Sequence, residues 1–234
     1  MANSKAVATR TENAFTIENW VESENIKQKF REVLDKGAGA FVTSILSLVK
    51  STPQLAAADP KTVMTAATLK LPIDPNLGFA YIIPYGKEAQ FQMGYKGYIQ
   101  LAMRTGQYKT INAAVVYEGQ IKDIDFITGE IVRGKKKSDK VVGYVAYFEL
   151  INGFSKTVYM SSEDMLRHAQ TFSKSFSRSS SVWKTNFDAM GLKTVIKQLI
   201  SKYGIMSIDM QGEALSTAIS ADGDYERTIE QNIT

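Results

Sequence analysis

Cationic side chains recur at helical spacing in two stretches of this sequence, and that spacing is its most chemically informative feature. Lys96, Gln100 and Arg104 stand four residues apart, so on an α-helix they form one stripe of hydrogen-bond donors. Lys193 and Lys197 repeat the interval further along the chain. Between these stretches, Lys174, Arg178 and Lys184 alternate with Phe172, Phe176 and Trp183 in and after a Ser-rich segment, 171–181. Cations neutralise phosphates, and interleaved rings offer stacking surfaces that accept any base. A solvated helix face beside core aromatics would show the same spacing, so both readings stand on the residues alone. Arg133-Gly-Lys-Lys-Lys137 is the densest basic run and falls at a hairpin tip, where it serves equally as an exposed, solubilising turn.

Other chemistries find less material. The chain has no cysteine, which removes thiol catalysis, thiolate metal sites and Fe–S clusters, and its single histidine, His168, cannot build a multi-His metal site. Gly191-Leu-Lys-Thr ends like a phosphate-binding loop. Leu192 separates glycine from lysine there, however, and the passage sits inside a helical pattern, so no ATP site is expected. Asp123, Asp125 and Glu130 could gather Mg²⁺ as a nuclease does. Lys122 and the Gly129 turn favour the plainer reading of solvent-face charges, so Mg²⁺ is possible but not expected.

Composition sets the frame for these residues. The 234-residue chain is 44% hydrophobic and 22% charged, ordinary for a globular protein with a real core. Its net charge of +4 hides an asymmetry. Residues 205–234 hold one base, Arg227, against six acids, which leaves +9 on residues 1–204. A basic body with an acidic tail suggests a polyanion-binding surface followed by a solvated or partner-facing segment. The polar N-terminus lacks a signal-peptide core, and no apolar run is long enough to cross a bilayer, so a cytoplasmic chain without membrane contact is expected.

The elements that must position the cations follow from periodicity. Ile26, Phe30, Val33 and Leu34 share a helix face, with Gly37 placed to end it; Phe41, Ile45, Leu48 and Val49 mark a second helix. Asp59-Pro60 predicts an N-cap and first turn for a third helix over 61–69. Strands are expected over 79–84 and 89–93, then a helix over 95–105 closed by Gly106. Gly94 would open that helix, whose free N–H groups favour a phosphate. Further strands are expected over 109–117, 123–127, 130–133, 141–151 and 155–160, with Asn152-Gly153 as a type I′ turn. Ser161-Ser-Glu-Asp164 has capping-box spacing for a helix to about residue 170, and one long helix is expected over 182–203. The predicted class is α+β: N-terminal helices, a central curved antiparallel sheet with hairpins, and a long C-terminal helix, in a single domain with flexible ends. The arm would be 1–15, the core 16–204 and the acidic tail 205–234.

At these residues the sequence resembles the RecT family of phage single-strand annealing recombinases. The matching passages are Leu77-Gly-Phe-Ala-Tyr-Ile-Ile-Pro-Tyr-Gly86 and Gln90-Phe-Gln-Met-Gly-Tyr-Lys-Gly-Tyr-Ile-Gln-Leu-Ala-Met-Arg-Thr-Gly-Gln107. A third, built on Trp183-Lys, Met190, Lys193-Thr and Ile196-Lys197, is similar to a helix of the same family. The resemblance implies a non-enzymatic protein that needs no ATP, binds single-stranded DNA and anneals complementary strands to duplex. It further implies homo-oligomeric rings or helical filaments, and work beside a phage 5′→3′ exonuclease and a host single-strand-binding protein. On that reading Lys96, Arg104, Lys193 and Lys197 are the first phosphate contacts, and Lys174, Arg178 and Lys184 the second. Lys87 and Lys109 are weaker contacts from neighbouring strand ends, Gln100 completes the polar stripe, and Tyr85, Tyr95 and Phe176 face bases. A Mg²⁺-dependent nuclease and a structural phage assembly protein are the alternative readings.

Overall fold

Four helices precede the first strand among the described residues, and two of them, the first and the fourth, start at a side chain that caps a backbone donor. The computed structural model describes residues 15–85, 88–125, 127–173, 176–179 and 181–205, without the side chains of Tyr85 and Glu88. The expected arm and almost all of the acidic tail lie outside those residues, as do Lys87 and Lys174. Helix α1 (Ile17–Glu22) starts at Thr16, whose hydroxyl accepts from the Asn19 N–H. Helix α2 (Glu24–Leu34) buries Phe30, and α3 (Ala38–Ser51) buries Phe41, Ile45, Leu48 and Val49, the face set by their spacing. Trp20, Phe30 and Phe41 meet edge to face, with centroids 6.0 and 5.4 Å apart. The end of α2 differs from expectation: Asp35, at φ 49° and ψ −123°, takes the positive-φ position, and Gly37 instead precedes α3 in an ordinary helical conformation.

Helix α4 (Pro60–Thr68) begins as its sequence dictates, with Asp59 accepting from the Lys61 N–H at 2.8 Å and Pro60 in the first turn. It ends in a Schellman motif, in which Leu71 donates to the Ala66 carbonyl and Lys70, at φ 51°, donates to Ala67. Strands β1 (Ala80–Tyr85) and β2 (Glu88–Met93) then form a hairpin in register from Ala80–Met93 to Tyr85–Glu88. Helix α5 (Tyr95–Arg104) follows directly, closed by Gly106 at φ 67°.

The expected antiparallel strands form, but not as one continuous sheet. Strands β3 (Tyr108–Tyr117), β6 (Val141–Leu150) and β7 (Ser155–Ser161) make a three-stranded sheet in the order β3-β6-β7, while β4 (Ile121–Ile124) and β5 (Ile131–Arg133) pair separately as a hairpin. Alternation along β6 sends Tyr144, Ala146, Phe148 and Leu150 into the core. The β6–β7 connection is not a two-residue type I′ turn. Gly153 donates to Leu150 and alone has positive φ, at 86°, so a type I turn ends in a glycine bulge. Asn152 contributes through its side chain, accepting from the Phe154 N–H at 2.9 Å.

Helix α6 (Ser162–Phe172) is capped by Ser161, whose hydroxyl accepts from the Asp164 N–H at 3.0 Å. The expected single C-terminal helix is two: α7 (Val182–Thr185) and α8 (Phe187–Tyr203). The break falls at Asn186, which adopts non-helical angles and turns its side chain to cap Ala189. Asparagine competes for backbone groups more effectively at a cap than inside a helix, so a long apolar period hid the interruption. Helix α8 lies across the three-stranded sheet and against α5. One hydrophobic core joins the N-terminal helices, the β1–β2 hairpin, the sheet and α8.

Candidate nucleic-acid interface

The entry to α5 is set by two glycines whose reason is steric. A Cβ at Gly94 would run into the Gly78 carbonyl, and one at Gly97 into the Phe79 carbonyl. Gly94 also donates its N–H to Phe79 at 2.9 Å. The Gly94-Tyr-Lys-Gly97 run therefore lets the helix start tight against the 78–79 backbone. No side chain caps that start. Lys96 runs over Gly78, with its Cδ 3.7 Å from where a Gly78 Cβ would lie, and its ammonium end is exposed without an ion-pair partner among the described residues. Gln100 is exposed one turn on. Tyr95 is half-buried against the core, and its neighbour Tyr81 has its pKa raised by burial and then by Tyr95.

Arg104 closes the stripe differently. Its Nη1 donates to the Leu69 carbonyl at 2.6 Å and its Nη2 to the Lys70 carbonyl at 2.9 Å. Both carbonyls lie at the end of α4, so the guanidinium ties α5 to α4, and burial pulls its pKa below the ordinary arginine value. Its fork is committed to protein carbonyls, a use the spacing could not reveal. Lys109, at the start of β3, pairs with Glu149 on β6 at 2.7 Å, and that hydrogen bond raises its pKa.

On α8 the buried face comprises Gly191, Thr194, Val195, Ile196, Leu199 and Ile200. Lys193 and Lys197 fall beside that face, half-buried and each with a partner of its own. Because α5 and α8 pack together, the two basic stripes of the sequence sit on adjacent helices. Gly191 is explained by packing: a Cβ there would sit 2.7 Å from the Tyr144 ring. The Gly191-Leu-Lys-Thr passage thus lies within α8, against the sheet, and has no phosphate-loop geometry.

The third basic group stands where α6 gives way to α7. Lys184 lies 5.8 Å from the centre of the Phe176 ring and reaches the Ser177 carbonyl at 3.4 Å; Arg178 is exposed nearby in sequence. Phe176 is half-buried against the core. Trp183 is 6% exposed and Phe172 packs on His168 at 4.7 Å, with Trp183 in turn 5.4 Å from Phe187. These rings are structural, and Trp183 has no face to offer a base.

The acidic group also has a local use. Asp125 accepts from the Ile127 and Thr128 N–H groups, and these bonds, with Thr128's hydroxyl, hold its pKa below the usual carboxylate range. It shapes the β4–β5 turn, in which Gly129 has φ 80°. Among the described residues no three acidic or histidine side chains gather to hold a metal, and no helix is long and apolar enough to cross a membrane.

One basic group escaped the spacing argument because it lies on no helix. Arg133, Lys135, Lys137 and Lys140 are exposed on the segment joining β5 to β6, and Lys122 on β4 lies opposite. The density of the run was the available signal.

Residues 39–233 match the model of the RecT family, a span that continues beyond the described residues. The chain is 51% identical over 202 residues to an uncharacterised Bacillus subtilis (strain 168) protein, YqaK, covering 84% of this chain and 70% of that one. It is 30% identical over 199 residues to Protein RecT of Escherichia coli (strain K12), covering 78% of this chain and 70% of that one.

Proposed function

Because the chain belongs to the RecT family, we propose that it performs single-strand annealing in recombination by binding single-stranded DNA and pairing complementary strands without ATP, as a ring or helical filament of many copies. The observation that carries this reading is the side-by-side packing of α5 and α8, which puts Lys96, Lys193 and Lys197 on adjacent helices. Each is a cation that can approach a phosphate, and the apolar faces beneath them fix the helices that carry them. Lys184 and Arg178 extend the positive charge along the α6–α7 connection, where Phe176 is the ring best placed beside a cation. Lys87, Lys174 and Tyr85 keep their proposed roles from the resemblance alone.

Annealing demands neutralisation more than bond chemistry. Two phosphate backbones repel across a screening length of about 8 Å at physiological salt, and base edges must stay open to test pairing. Lysines carried on two packed helices would supply the first without obstructing the second. Pairing is downhill, so no nucleotide fuel is required on this reading. Repetition of the subunit would turn a small basic face into a continuous groove. A phage 5′→3′ exonuclease that exposes the strand, and a host single-strand-binding protein that covers it, are the proposed partners.

Mixing complementary oligonucleotides with the protein in buffer free of nucleotide and metal tests the reading. It expects annealing faster than the spontaneous rate at low salt. An unaccelerated rate overturns it, and cleavage of labelled DNA on adding Mg²⁺ would replace it with a nuclease.

A further inference from the structure

We propose that the segment from Arg133 to Lys140, with Lys122, is a second DNA-backbone contact that holds the phosphates of the incoming complementary strand. This rests on the annealing function proposed above. The segment is built rather than loose. Gly134 donates its N–H to the Gln120 carbonyl at 2.8 Å, Lys137 donates to Glu118 at 2.7 Å, and Glu118 donates to Lys140 at 2.9 Å. A Cβ at Gly119 would collide with the Lys135 carbonyl and sit 2.7 Å from the Lys137 side chain; at φ 84° only glycine is at ease there. Glu118 accepts from the Ser138 hydroxyl at 2.8 Å. Lys136 is engaged locally at the surface, 3.9 Å from the Tyr117 ring centre and 2.5 Å from Asp139.

That arrangement satisfies one lysine and leaves five cations outward. Lys122, Arg133, Lys135, Lys137 and Lys140 are exposed, and none has an ion-pair partner among the described residues. Of the nearby acids, Asp139 pairs with Lys136, Glu118 accepts from the Ser138 hydroxyl, Asp123 beside Lys122 accepts from the Ile124 N–H, and Asp125 is bound in the turn of the β4–β5 hairpin; none forms an ion pair with the five, which outnumber Glu118 and Asp123. Fixing four like charges on one pinned segment, with Lys122 on the neighbouring β4, raises their mutual repulsion, which an anion of repeating charge relieves. A solubilising turn needs neither the backbone bonds nor the glycine contacts. The position fits a second strand. The segment feeds into β6 at Val141, the end of the sheet where α6 begins, with Ser162 donating to the Val141 carbonyl at 3.3 Å, and where α8 meets Tyr144. The same end receives the start of α8, which α7 with Lys184 immediately precedes, but the segment belongs to neither α5 nor α8. A face that neutralised one strand alone would leave the second repelled.

The test uses the full-length protein with Lys135, Lys137 and Lys140 all changed to Ala, compared with Lys193→Ala/Lys197→Ala and wild type. A labelled oligonucleotide is added first and its complement second, at physiological salt. The triple variant should bind the first strand within about twofold of wild type and anneal the second about tenfold more slowly, with the defect shrinking at low salt. Changing the same three residues to Arg should restore annealing. Equal loss of first-strand binding would overturn the proposal by placing the segment in the primary site. Unchanged annealing, or loss of self-assembly before DNA is added, would also overturn it. Wild type that binds but does not anneal would instead strike at the function on which the proposal rests.

Discussion

Tyr144 on β6 donates its phenolic proton to Asp188 on α8 at 2.6 Å, and the same ring fills the space where a Cβ on Gly191 would go. The central strand and the helix carrying Lys193 and Lys197 are thereby joined by one polar and one steric contact. Burial, then Asp188, raises the Tyr144 pKa well above the ordinary tyrosine value of 10.0. Its stabilising effect is complete below that unfolded value and is lost as pH climbs toward the folded one, because the unfolded chain sheds the proton first. Tyr144→Phe should cost about 1.5 kcal/mol at neutral pH, the low end for a bond to a charged acceptor, since exposed Asp188 regains water. It should also flatten the fall in stability above pH 10, read by urea denaturation at several pH values. Tyr81, Tyr108 and Tyr159, also raised by burial, leave a residual slope in both proteins.

Two glycine substitutions should move stability in opposite directions. Gly191→Ala forces a methyl group against the buried Tyr144 ring and should destabilise the fold by about 1–3 kcal/mol, with Tm falling. Gly39 lies exposed inside α3 with nothing within 4 Å of an added Cβ. Gly39→Ala should stabilise by about 0.4–1 kcal/mol through reduced unfolded-state entropy. Both are read in one thermal-melt series, and a rise for Gly191→Ala would refute the packing argument.

Arg104 should behave as a stability residue rather than a phosphate contact. Arg104→Ala frees the Leu69 and Lys70 carbonyls at the end of α4, and loss of the two hydrogen bonds should cost about 1–3 kcal/mol. Arg104→Lys should recover little, because a single ammonium cannot reproduce the fork. In both variants the slope of log affinity for single-stranded DNA against log salt should equal that of wild type. A slope flattened by about 0.7 would return Arg104 to the phosphate contacts.

Arg104 also marks where sequence reasoning stops. Its spacing of four residues from Gln100 and eight from Lys96 correctly put it on a helix, because period 3.6 is a local property. Its partners lie thirty-five and thirty-four residues back in the chain, and contacts of that range leave no periodic trace. Lys109 was drawn to Glu149 in the same way, by strand register. Trp183 looked like a stacking ring because its neighbours are basic, yet it packs on Phe187 in the core. Local signals that depended on one residue's own backbone fared best: Asp59-Pro60 and Ser161 cap their helices as expected. Asn152-Gly153 marked its turn but not the turn's type, since Asn152 can serve with its side chain while only glycine takes positive φ. Asn186 carried a capping signal that a strong apolar period on both sides concealed.

Lys96 and the α8 lysines should separate from these structural residues by their response to salt. Lys96 is exposed and pairs with no acid among the described residues, so Lys96→Ala should leave stability within about 0.5 kcal/mol of wild type. Its affinity for single strands should fall by a similar factor whatever the sequence, and the salt slope should flatten by about 0.7 for the one phosphate released. Lys193→Ala and Lys197→Ala should flatten the slope comparably. Their stems are half-buried beside the Val195–Ile196 face, so each should also cost some stability through lost packing. The pair of measurements distinguishes the roles: a phosphate contact moves the slope, a packing residue moves the melt, and the α8 lysines should move both. Fluorescence titrations across a salt series, with melts of the same preparations, give the answer. An unchanged slope in all three variants would leave α5 and α8 as ordinary solvated helices and remove the observation on which the DNA-binding face rests.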